Sequence, residues 1–162
     1  MQTLLPHAEK VAELLKRRGE SVAVAESSTG GLIAAALLAM PGASAYFLGG
    51  AVVYTKAARA ALLDIDDAQM AGLRPSTEPY ALMIAKRIRD KHGAVWGLGE
   101  SGATGPTGNR YGDAAGHSCI AVAGKIEKAV TLETGKTDRA GNMRAFAVRA
   151  LELFAETLEK AP

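Results

Sequence analysis

The run Ser21-Val22-Ala23-Val24-Ala25 is short, apolar and β-branched, and it passes without a break into Glu26-Ser27-Ser28-Thr29-Gly30-Gly31 and the helix-forming stretch Leu32 to Met40. This segment reads as strand, polar turn and helix, and it constrains the chain more than any other. Small hydroxyl residues and glycine at a strand-to-helix junction leave backbone N–H groups and a helix dipole available to an anion. They equally serve as plain caps of the following helix. Both readings stand on the sequence.

The rest of the chain fits the same pattern. Apolar positions recur at helical spacing from about Pro6 to Arg18, with Val11, Leu14 and Leu15 on one face, and Gly19 supplies a stop. Pro41-Gly42 ends the second helix, and Ala45 to Tyr54 reads as a strand in which Gly49-Gly50 permits a bulge or a close backbone approach. Lys56 to Leu63 returns to helical composition, and Asp64, Asp66 and Asp67 read as a solvated turn. Pro75-Ser76-Thr77-Glu78-Pro79 is a start signal for a helix over Tyr80 to His92.

Ala94 to Glu100 reads as a buried strand leading into the glycine-rich loop Gly102 to Gly108, a position where α/β folds keep chemistry. His117 to Ala123 and Lys128 to Thr134 can pair as antiparallel strands before an amphipathic helix from about Asp138 to Lys160. The predicted architecture is a three-layer α/β/α sandwich around a mixed sheet. With 162 residues, 48% of them apolar, and no repeat or linker, residues 1–162 read as one domain.

Charge and cysteine usage narrow the function. A formal net charge of +2 with interspersed signs forms no basic stripe, so neither nucleic acid nor a membrane surface is an expected partner. The N-terminus lacks the pattern of a signal peptide and no apolar run is long enough to span a bilayer, which gives a cytoplasmic expectation. Cys119 sits in an apolar run and reads as a buried small residue. His7, His92 and His117 read as structural or exposed, and no zinc spacing, phosphate-loop lysine or Gly-x-Ser-x-Gly elbow occurs.

A serine nucleophile needs a base, and a lysine can replace histidine if burial and nearby positive charge hold it neutral. Tyr54-Thr55-Lys56-Ala57-Ala58-Arg59 offers one lysine and one arginine at a strand end; a solvated basic turn is the plain alternative. The loop from Gly102 to Gly108 either shapes a turn or lines a site.

Three segments together, in order over essentially the whole chain, resemble the CinA C-terminal domain family. Ala25 to Gly31 resembles the family's A-E-S-C/S-T-G-G, Pro41 to Phe47 its P-G-S-S-x-x-F, and Ser101 to Gly108 its S-G-I-A-G-P-T/D-G. The resemblance implies a metal-independent amidase, without cofactor, that hydrolyses nicotinamide mononucleotide to nicotinate mononucleotide and ammonia through a serine assisted by a lysine. Ser27 stands at the family serine and Tyr54 at the tyrosine of its Y-S-N-x-x-K segment. Arg59 occupies the position of that lysine and Lys56 that of the asparagine, so the catalytic set is Ser27, Tyr54, Lys56 and Arg59.

Guanidinium is a poor base, whereas Lys56, three residues earlier on the same helical face, could take that role with its pKa depressed by Arg59. The expected binding residues are Glu26, Ser28, Thr29, Gly30 and Gly31 in the turn, and Gly102, Thr104, Gly105 and Thr107 in the loop. Gly135, Asp138, Arg139 and Arg144 resemble a G-D-R-x-x-x-R region, which makes Arg139 and Arg144 the expected phosphate contacts. Where the family continues through a lysine-proline-valine-glycine segment, this chain reads Asn109 to Gly116, a place for substrate selection to differ. A small-molecule nucleotide and further copies of the same chain are the expected partners. The competing expectation is a homologue that binds a pyridine nucleotide or related phosphate ligand without deamidating it.

Overall fold

A computed structural model describes residues 1–162. Its elements are α1 (Leu5–Arg18), β1 (Val22–Glu26), α2 (Leu32–Leu38), β2 (Phe47–Val52), α3 (Lys56–Leu63), α4 (Glu78–His92), β3 (Trp96–Ala103), β4 (His117–Ala123), β5 (Glu127–Glu133) and α5 (Arg139–Lys160). The sheet order is β2-β1-β3-β4-β5. Strands β2, β1 and β3 run parallel, and β3, β4 and β5 antiparallel. This is the mixed sheet expected from the sequence.

Alternation along the strands divides the core. Val22 and Val24 of β1, Trp96 and Leu98 of β3, and Ile120 and Val122 of β4 face α1, α2 and α5. Ala23 and Ala25 of β1 pack with Val53, Leu63, Tyr80 and Ile84, while Cys119, Ala121 and Ala123 of β4 pack on Ala81 and Ala85 of α4. Both faces of β1 are therefore buried, as expected of a strand paired in parallel on each side. The layer on the α4 side is thin because of Gly97 and Gly99. A Cβ on Gly97 would lie 1.9 Å from the Ala85 carbonyl oxygen, and one on Gly99 would lie 2.2 Å from that of Ala81, so the helix rests on bare strand backbone.

Boundaries differ from the sequence expectation in two places that matter for the site. The strand expected over Ala45 to Tyr54 is Phe47–Val52, because Gly42 at φ 77° starts a 3-10 turn over Ala43–Ala45, and Val53 and Tyr54 leave the ladder beyond Val52. A bulge is present one residue before the expected Gly49-Gly50, since β1 pairs Val22 with Phe47 and Ala23 with Gly49, leaving Leu48 over. The strand expected to stop at Glu100 runs on to Ala103, with Ser101, Gly102 and Ala103 paired to Cys119, Ser118 and His117. The first part of the predicted glycine-rich loop is thus sheet. No helix is long and apolar enough to cross a membrane.

Candidate functional site

The turn after β1 is assembled on two buried carboxylates. Glu100 of β3 accepts from the backbone N–H of Ser27 (3.1 Å) and of Thr29 (2.9 Å), and from the hydroxyls of Thr29 (2.9 Å), Ser118 (3.0 Å) and Ser28. Glu26 accepts from the backbone N–H groups of Gly31 (3.2 Å), Ile33 (2.9 Å) and Ala34 (2.8 Å) at the start of α2. Gly30 and Gly31, at φ 64° and 100°, let the chain reverse over these acids. The expectation that the helix N-terminus presents its donors to an anion is therefore corrected, because Glu26 already fills it.

Thr29 Oγ1 lies 2.7 Å from Glu26 and 2.9 Å from Glu100, yet its single hydrogen can serve only one of them. Burial pushes the Glu26 carboxyl above the usual range despite the N–H groups of Ala34 and Ile33 and the Thr29 hydroxyl, and the neighbouring Glu100 charge adds to the rise. Glu26, Ser28 and Thr29, predicted to bind substrate, thus lie beneath the turn and hold its shape.

Ser27 is the exception. Its hydroxyl makes no hydrogen bond within the protein, and the residue lines a cleft of about 450 Å³. Ser28, buried beside it, contributes a backbone N–H that no protein acceptor takes up. The cleft brings Ser27 together with Tyr54, Lys56 and Arg59, as the sequence suggested, and with Gly102.

The basic pair is built differently from the expectation. Arg59 is 3% exposed and donates from Nε to the Ile65 carbonyl (3.1 Å) and from a terminal nitrogen to Asp67 (2.9 Å). Exposed Lys56 donates to the other oxygen of Asp67 at 3.2 Å. Asp67 lies in the exposed turn expected from the sequence and stands between the two cations, which pull its carboxyl below the ordinary range.

The second loop divides as well. Thr104 and Gly105 are buried, Thr107 is exposed, and none of the three lines the cleft. Arg139 donates to the Gly105 carbonyl (2.7 Å) and to the Tyr54 hydroxyl (3.3 Å), so it ties the loop to the cleft rim. Arg144 is exposed, and neither arginine lines the cleft.

Several cleft residues were not among the expected site residues. Ser76 comes from the segment before α4, Tyr80 from the first turn of α4, Ser101 from β3, and Asn109, Arg110 and Tyr111 from the loop before β4. Ser101 Oγ accepts the backbone N–H of Ser76 at 3.1 Å, while the Ser76 carbonyl accepts from His117 Nε2 at 2.9 Å. The other nitrogen of His117 meets Glu133, so both ring nitrogens face acceptors and the imidazole is raised above its ordinary value despite its burial. Asn142 of α5 holds the carbonyls of Thr104 and Lys136, each at 2.8 Å. Cys119 is buried as expected, and burial pushes its thiol up. A buried Ser or Asn inside a strand or helix gives no local pattern, which is why only the fold finds them.

Known proteins share this arrangement of elements. A CinA-like protein of Gloeobacter violaceus is 40% identical over 129 residues, covering 79% of this chain and 30% of that protein. One from Myxococcus xanthus is 36% identical over 160 residues, covering 96% and 37%. The chain spans about a third of the length of the curated relatives it matches. Among solved structures, the competence damage-inducible protein A (ComA) of Klebsiella pneumoniae superposes with a TM-score of 0.90 at 25% identity, covering 97% of this chain and 98% of that one. The family model described as the CinA C-terminal domain matches residues 5–158, and with sheet, turn and cleft in place the chain belongs to that family.

Proposed function

We propose that the cleft binds a phosphorylated pyridine nucleotide and that Ser27 attacks its carboxamide, as in a nicotinamide-nucleotide amidase. The observation that carries this reading is the hydroxyl of Ser27. The other two hydroxyls of the turn are tied to Glu100, while this one faces the cleft free of protein partners. In the reaction the Ser27 oxygen bonds to the carboxamide carbon and its proton passes to an amine. Lys56 is the amine lining the cleft, and it serves once it leaves Asp67.

The developing oxyanion has two donors within the same architecture, the unpaired N–H of Ser28 and the buried guanidinium of Arg59. Collapse breaks the C–N bond, the proton returns to the departing nitrogen, and ammonia leaves. Water then cleaves the seryl ester to release the acid and restore Ser27. Arg59 keeps its proton and acts only as a cation.

A second reading, binding without deamidation, is favoured by Asp67, which engages both Lys56 and Arg59. Ammonia release from nicotinamide mononucleotide separates the two. Under the amidase reading, Ser27→Ala abolishes release, Lys56→Ala lowers it by about two to four orders of magnitude, the scale of a lost general base, and Arg59→Lys brings no gain. Nucleotide binding by wild type without ammonia, with turnover appearing in Arg59→Lys, would establish the second reading instead.

A further inference from the structure

Three cations, Lys56, Arg59 and Arg110, line the cleft, and no aspartate or glutamate does. Such a lining selects an anionic ligand. The donors of these cations are unequally engaged. Arg59 is held by Ile65 and Asp67, and Lys56 by Asp67, whereas Arg110 has no carboxylate partner and donates one hydrogen bond, to the Tyr111 hydroxyl at 3.0 Å. A guanidinium carries five N–H donors in a planar fork, so most of those on Arg110 remain for a ligand.

The guanidinium is also held in place before any ligand arrives. Its carbon lies 5.1 Å from the centre of the Tyr111 ring, and that ring also faces Arg74 at 5.5 Å. Arg74 is clamped to both oxygens of Asp113, at 2.6 and 3.0 Å. Asn109 Oδ1 accepts the N–H groups of Tyr111 and Asp113, which closes the loop on itself. A cation fixed this way loses little freedom on binding a phosphate through two parallel bonds.

We propose that Arg110, positioned by Tyr111, is the phosphate-holding residue of the cleft, so that the anion subsite lies on the 109–113 loop. This inference rests on the reading of the cleft as a nucleotide site. The places where the sequence pointed for phosphate are otherwise occupied: Glu26 caps α2, Arg139 ties Gly105 to Tyr54, and Arg144 lies outside the cleft.

The test is calorimetric binding of nicotinamide mononucleotide, nicotinamide riboside and ribose 5-phosphate to the whole chain and its variants. Arg110→Gln weakens the two phosphate esters by about ten- to a hundredfold, the range for losing hydrogen bonds to a charged group, and cuts the preference for mononucleotide over riboside by the same factor. Tyr111→Phe, which loses the 3.0 Å contact to Arg110, shifts the preference in the same direction by less. Arg149→Gln, which removes the same charge from an α5 residue that pairs with Glu152 and Glu156, leaves it unchanged.

Wild-type affinity for both phosphate esters in Arg110→Gln overturns the subsite while leaving the amidase reading intact. Failure of wild type to bind either ester overturns it too. Ribose 5-phosphate bound through Arg110, with no ammonia from the mononucleotide, sinks the amidase reading alone.

Discussion

The turn at 26–31 and the loop at 109–113 both border the cleft, but they are stabilised in opposite ways. The turn is closed by buried acids that take up its backbone and hydroxyl donors, leaving the Ser27 hydroxyl and the Ser28 N–H free. The loop is closed by Asn109 and by an Arg74–Asp113 pair near the surface, and it leaves a guanidinium over. The segment with the strongest sequence signal is thus mainly a scaffold that leaves one hydroxyl free at the cleft. The loop, where the sequence departs from the family pattern, leaves a cation over instead.

The sharpest way to break this contrast is at Glu100. Glu100→Gln replaces an acceptor with an amide that can accept only on one side, so it strands buried donors of the turn and costs about 3 kcal/mol. Denaturant unfolding at constant slope measures the loss, and ligand binding at the loop persists in the folded fraction. A loss below about 0.5 kcal/mol, the ordinary scale of surface changes, would show that the carboxylate is not what holds the turn.

Asp113→Asn is the matching change in the loop and is smaller, about 1–2 kcal/mol for one charge-assisted contact. Arg74 and Asn109 hold the Asp113 carboxyl down to about 2. Its stabilising effect is therefore present above the ordinary aspartate range and is lost as pH falls through about 2. Glu26 has the opposite sign, since its raised pKa favours folding below the ordinary glutamate value and loses that contribution as pH rises through the folded value. Unfolding curves of the two single variants, Asp113→Asn and Glu26→Gln, against pH should each lose one of these opposed slopes. Parallel curves would remove the contrast.

The smallest expected effect belongs to His117. Its pKa is raised above 6.5, so the contribution is complete below that value and fades as pH climbs through the folded pKa. His117→Gln should flatten the decline of stability on the alkaline side by about 1 kcal/mol or less, read by thermal unfolding across pH. An unchanged decline would detach His117 from the Ser76 carbonyl that it holds at the cleft wall.

How far the sequence reached follows from the physics of each element. Periodicity is local, so all five helices and all five strands were legible, down to Gly19 as the stop of α1. The extension of β3 through Ser101-Gly102-Ala103 was not, because glycine and serine carry no strand preference and only pairing with β4 makes that stretch a strand. Ser27, Tyr54 and Arg59 stand at positions the resemblance names, Lys56 follows from its spacing to Arg59, and the four line one cleft. Glu100 reads in the sequence as the end of a buried strand, yet a lone acid in an apolar run is itself a signal, since burying a carboxylate requires partners. Asp67 is the exposed turn residue that the sequence suggests, but its pairing with both Lys56 and Arg59 is not legible there, because nothing local shows what a side chain faces.

The glycine contact between α4 and β3 has a mechanical consequence. Ser76, just before α4, and Tyr80 in its first turn form one wall of the cleft, and Ser101 and Gly102 of β3 lie beneath it. With the helix seated on strand backbone at Gly97 and Gly99, wall and floor form one stiff piece, and no soft layer of side chains lies between them to be compressed. The rest of the rim above Ser27 is supplied by the loop carrying Arg110 and by the start of α3 carrying Lys56. A ligand that bridges these two cations would therefore be pressed against a wall and floor that move as one.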